Sequence, residues 1–146
     1  MNPNQIPIYS ITPKTGVGVL SAATAGALNS DSNGVAVFTA SASGSRVYSL
    51  IASSNDTAAV NLFLYILSGA TVRNIAQINV PINAGNIAST LAVDCLNPAV
   101  AVGLPIDNNG KRYIELAAND VLKVSTVANM TAGKVCVVSA QGGDYV

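Results

Sequence analysis

Short apolar stretches alternate along the chain with clusters of Gly, Asn, Asp and Ser. That texture predicts strands and turns rather than helices. Candidate strands span residues 17–20, 35–39, 46–52, 60–67, 71–80, 100–104, 112–116, 121–127 and 134–140. Turn signals fall at 29–34, 41–45, 107–110 and 129–133. Ser68-Gly69-Ala70 is expected to close a hairpin between 60–67 and 71–80. In 71–80, alternation places Val72, Ala76, Ile78 and Val80 on one face and Arg73, Gln77 and Asn79 on the other. One helix is expected over 88–96, with Ser89 or Thr90 near its N-cap and Asn97-Pro98 as its stop. About eight short strands with at most one short helix predict an all-β chain, an antiparallel jelly-roll-like β-sandwich.

Pro3, Pro7 and Pro13 fix φ and remove amide donors near the start of the chain. Residues 1–16 are therefore expected to form an extended N-terminal arm. Residues 17–146 form a single β-sandwich domain, consistent with the length of 146 residues.

Two strands are apolar on both sides. In 60–67, Val60, Leu62, Leu64 and Ile66 form the natural core face, while Phe63, Tyr65 and Leu67 form a second apolar face. In 46–52, Val47 and Ile51 oppose Tyr48 and Leu50. A solvated sheet is polar on its outer side, so both faces are expected to be covered. Either loops or the 88–96 helix cover the outer face, or another subunit does. Aromatic enrichment and charge depletion mark interface cores, which favours the subunit. Tyr48, Leu50, Phe63, Tyr65 and Leu67 are the expected oligomer interface.

Composition narrows the chemistry. There is no His, no Trp and one glutamate, Glu115, and charged residues make up 10% of the chain. Nucleophilic triads that rely on histidine have no base. Glu115 with Asp107 or Asp120 is the best carboxylate pair, but both aspartates sit in turn signals. No catalytic, cofactor-binding or metal-binding residue is expected. Asn55-Asp-Thr57 and Asn129-Met-Thr131 match the glycosylation sequon and read as chance. Cys95 and Cys136, 41 positions apart with no CxxC, read as buried thiols. Seven basic and seven acidic residues give zero net charge, with the basic ones scattered. Nucleic acid is therefore not an expected partner. No apolar run reaches the length of a membrane span, and no membrane association is expected. The first eight residues lack a secretory n-region and h-region, which points to synthesis in a host cytoplasm.

The run from Leu104 through Asn108-Asn109-Gly110-Lys111-Arg112-Tyr113 to Val124, then 131–138, resembles small virion proteins of tailed bacteriophages. So do residues 47–53 followed by 60–67. The likeness covers roughly 35–145 and is closest in texture to jelly-roll head decoration (cement) proteins. It implies a homotrimer on the capsid surface of a virion, with the major capsid protein as partner and no cofactor. Ile6, Pro7, Ile8 and Tyr9 of the arm are the expected capsid-docking residues. A tail or baseplate component is the near alternative. A carbohydrate- or host-surface-binding β-sandwich, with Tyr9, Tyr113 and Tyr145 as candidate platforms, is the alternative of a different class.

Overall fold

The computed structural model describes residues 11–146. Among the described residues there are nine strands: β1 (Ile11–Leu20), β2 (Val35–Thr39), β3 (Ser45–Ser54), β4 (Val60–Ser68), β5 (Thr71–Val80), β6 (Val93–Asp94), β7 (Ile114–Leu116), β8 (Val121–Thr126) and β9 (Cys136–Tyr145). One sheet runs β1-β9-β3-β6, with β7 also on β3, and the other runs β2-β8-β4-β5. Every pairing between these strands is antiparallel. The chain crosses between sheets at almost every step, which is the jelly-roll connectivity of an all-β sandwich.

Alternation explains the core. Val60, Leu62, Leu64 and Ile66 of β4 meet Leu122 and Val124 of β8, and Val47, Leu50, Ala52 and Val138 face them from the other sheet. On β1 the inward positions are Gly16, Gly18 and Leu20. A Cβ on Gly16 would sit 1.9 Å from the Val37 carbonyl oxygen. Glycine therefore lets β1 approach β2 directly where the sandwich closes. Pro13 lies within β1, which is tolerable because β1 is an edge strand with β9 as its sheet neighbour. Residues 11–16 of the expected arm thus belong to the sheet, and residues 1–10 lie outside the described residues.

The hairpin between β4 and β5 turns on Gly69-Ala70, with Ser68 paired to Thr71. Gly69 has φ +60°, as the first position of a type II′ turn requires.

The expected helix at 88–96 is not formed. Ile87 bridges to Thr90, and Val93–Asp94 pairs with Ile51 and Ala52 of β3. The Asp94 carboxylate accepts the Leu96 amide, and Asn97 Oδ1 accepts the Ala99 amide, both 2.9 Å. These local side-chain bonds compete with a helical ladder. The short strand expected at 100–104 is also absent.

β6 and β7 share one edge of β3. Residues 51–52 pair with 94–93, and residues 45–47 pair with 116–114. The fourth strand of this sheet is therefore interrupted by an excursion over residues 95–113.

Candidate functional site

The five expected interface residues do not form one surface. Leu50 is fully buried in the core. The cause is a bulge in β3: Val47 pairs with Gly142 and Ser49 with Gln141, leaving Tyr48 as the extra residue. The bulge shifts the alternation, so Val47, Leu50 and Ala52 all face inward and Ile51 faces out. Tyr48 is 51% exposed on the outside of the first sheet. Phe63, Tyr65 and Leu67 lie on the outside of the second sheet, on the opposite side of the sandwich.

Tyr65 is only 1% exposed, because the chain's own loop over 26–34 covers it. Its hydroxyl donates to Asp31 Oδ1 at 2.9 Å, and Lys123 Nζ lies 2.6 Å from the same oxygen. Desolvation raises the Asp31 pKa, but the bonds from Lys123 and Tyr65 and the Lys123 charge outweigh it, and the net shift is downward. Gly34 is required here, since a Cβ would fall 1.6 Å from the Tyr65 hydroxyl oxygen. Phe63 and Leu67 remain half-buried. Covering by the chain itself thus accounts for Tyr65.

The apolar exposed face is on the other sheet. Val17 and Val19 of β1 are 58% and 52% exposed, and both point outward because Gly16, Gly18 and Leu20 point in. Val17 pairs with Ser139, which pairs with Ile51; Val19 pairs with Val137, which pairs with Ser53. Thr15, Gln141 and Ser49 complete the field. None of these outer residues is charged. The sequence signal was the Gly-Val-Gly-Val-Leu run at 16–20, where hydrophobicity alone would turn the valines inward.

The other candidate residues are individually occupied. Glu115 accepts from Arg46 Nε at 2.7 Å and from Arg46 Nη2, and from the Tyr145 hydroxyl at 2.6 Å. Arg46 also lies over the Tyr113 ring, 4.2 Å from its centroid. Asp107 Oδ1 accepts the Asn109 and Lys111 amides, closing its own turn. Asp120 is buried and accepts the Ala117 amide. Each carboxylate of the best sequence pair is thus held by its own surroundings. Tyr9, with Ile6, Pro7 and Ile8, lies outside the described residues.

Cys95 and Cys136 are free buried thiols, and burial pushes each pKa up to about 12. The two sequons meet in space: Asp56 of the first accepts the amide and hydroxyl of Thr131 of the second. Among the described residues, no three His, Cys, Asp or Glu side chains converge as a metal site. No protein-family model matches the chain, and no curated protein matches it in sequence.

Proposed function

We propose that this chain is a structural assembly protein, a jelly-roll subunit that packs against copies of itself and decorates a virion shell. One observation carries the assembly reading: an uncharged strip on the outer face of the β1-β9-β3 sheet in which Val17, Val19 and Ile51 are exposed. A half-exposed row of Val17, Val19 and Ile51 has no role in the core of its own subunit. Burying such a row is favourable at roughly 25 cal/mol per Å². A stable contact needs about 800 Å² per partner. Three aliphatic side chains cannot supply that area, so the contact extends over Val137, Thr15, Ser139, Gln141 and Tyr48. The virion part of the reading rests on the resemblance of residues 35–145 to phage decoration proteins, with a homotrimer and the major capsid protein as its partners.

Light scattering on the purified chain tests the assembly reading. The expected mass is three times the 14.7 kDa subunit, falling to one subunit in Val17→Asp and Val137→Asp. Phe63→Asp, on the opposite face, is expected to leave the oligomer intact. A wild-type monomer that also fails to sediment with capsids would overturn the reading.

A further inference from the structure

β5 carries one residue more than its partner strand requires. Leu64 pairs with Ala76 and Tyr65 with Asn74, so Ile75 is the bulged residue. Beyond the bulge, Arg73 stands opposite Ile66, and directly paired residues point to the same face. Ile66 is a core residue, 3% exposed. An unbroken strand would place Arg73 outside with Gln77 and Asn79. The bulge instead turns it to the inner side of the sheet, where the sandwich opens. Re-aiming a side chain is a recurrent use of bulges near functional sites.

Arg73 there lines a cleft of about 390 Å³ between β5 and β7. Ile66, Ile75, Leu104, Pro105 and Ile114 form its apolar walls. The volume is that of a small-molecule site, and the lining is mixed, with Arg73, Asn74 and Glu115 beside the aliphatic walls. No side-chain hydrogen bond or ion pair engages Arg73 among the described residues. Glu115, which also borders the cleft, is already held by Arg46 and Tyr145. One uncompensated guanidinium beside aliphatic walls therefore sets the chemistry.

We propose that this cleft binds aliphatic carboxylates, with Arg73 as the anchor for the anion. The alkyl chain displaces water from Ile75, Leu104 and Pro105, over a floor formed by the buried Ile66 and Ile114. The carboxylate forms a charge-assisted pair with the guanidinium, for which the planar fork of arginine is well matched. A neutral alcohol of the same length leaves Arg73 unpaired. A short hydrophilic anion leaves the walls in water. The cleft lies away from the outer face of the β1-β9-β3 sheet, so this site stands or falls separately from the assembly reading.

Titration calorimetry of the whole chain with sodium octanoate tests the site, with sodium acetate and 1-octanol as comparison ligands. Saturable octanoate binding is expected, with acetate and octanol weaker by about tenfold or more. Arg73→Gln is expected to fold as wild type, because its side chain has no partner to lose. It should bind octanoate about tenfold more weakly and octanol unchanged. Leu104→Ser should weaken octanoate and octanol together. Absence of saturable octanoate binding overturns the proposal, as does equal octanoate affinity in Arg73→Gln and wild type.

Discussion

Asp56 and Thr131, 75 residues apart, are joined by two bonds: the carboxylate accepts the Thr131 hydroxyl at 2.6 Å and its amide at 3.0 Å. Asp56 also accepts the Ala58 amide at 3.0 Å. The residue is 1% exposed, so these bonds replace water at a buried anion. The cluster ties the loop before β4 to the loop before β9. Asp56→Ala strands those donors and is expected to cost on the order of 2–3 kcal/mol. Asp56→Asn keeps one acceptor oxygen and should cost less. Urea unfolding of the three proteins reads the order directly, and an Asn variant weaker than Ala would contradict it.

Acid should erode this fold through the same groups. The Thr131 hydroxyl chiefly holds the Asp56 pKa below its usual value, the Ser45 hydroxyl does so for Asp144, and Lys123 with Tyr65 does so for Asp31. A depressed folded pKa means the unfolded state takes up protons first as pH falls. The stabilisation is complete above the unfolded value, about 3.9, and is lost as pH drops through the folded values. The urea midpoint is expected to hold level from pH 7 to about 5 and to fall below about 4. The fall should be shallower in Asp56→Asn. An equal slope in that variant would exclude Asp56 as a contributor.

Alkali should act through the thiols. Both have folded pKa values near 12, against about 8.5 in an unfolded chain. The unfolded state therefore loses thiol protons first, and stability falls as pH rises above about 8.5. Each thiol contributes a slope of about 1.4 kcal/mol per pH unit once its unfolded form is fully ionised. Cys95→Ala and Cys136→Ala should each remove one such slope, while creating a small cavity that lowers stability at neutral pH. Burial also predicts slow labelling by thiol reagents until the chain unfolds. Fast native-state labelling would show that one thiol is reachable.

Gly34 and Tyr65 should be energetically coupled. Adding a Cβ at Gly34 crowds a hydroxyl already fixed by Asp31, so Gly34→Ala is expected to cost about 1–3 kcal/mol. Tyr65→Phe removes the hydroxyl and one hydrogen bond, at about 1 kcal/mol. The double variant should be more stable than the sum of the two costs predicts, because the first clash is gone. Additive costs would mean that the loop relaxes away from the ring.

The Arg46–Glu115 pair should matter far less to stability than Asp56. Its side chains are 33% and 41% exposed, and solvent screens such pairs. Glu115→Gln is expected to cost under about 1 kcal/mol and to become neutral in high salt. A larger loss that persists in salt would point to the Tyr145 bond as the main contribution.

Much of the strand pattern is legible in the sequence. The stretches at 35–39 and 71–80 coincide with β2 and β5, and 60–67 is one residue shorter than β4. Their alternation is strong and their turns carry Gly, Asn or Asp. Legibility ends where an extra residue breaks the alternation. The bulges at Tyr48 and Ile75 reverse the faces of Leu50, Ile51 and Arg73, and neither carries a local signature. Tyr65 was unreadable for a different reason. Its cover comes from residues about 31–34 positions earlier in the chain, and turn chemistry says nothing about which strand a loop will lie on. The helix at 88–96 failed because Asp94 and Asn97 bond their own backbone, a competition that periodicity does not register.

The interrupted edge of β3 makes this molecule a natural host for grafted peptides. Pairing at 45–47 and at 51–52 fixes the two ends of the 95–113 excursion independently. Extra residues between Asn108 and Asn109, both exposed, enter a turn whose ends remain clamped by β6 and β7. Doubling the length of such a loop costs only about 0.6 kcal/mol in closure entropy. A short epitope or tag inserted there would be displayed outward from the sandwich, on a rigid frame whose strand register it does not touch.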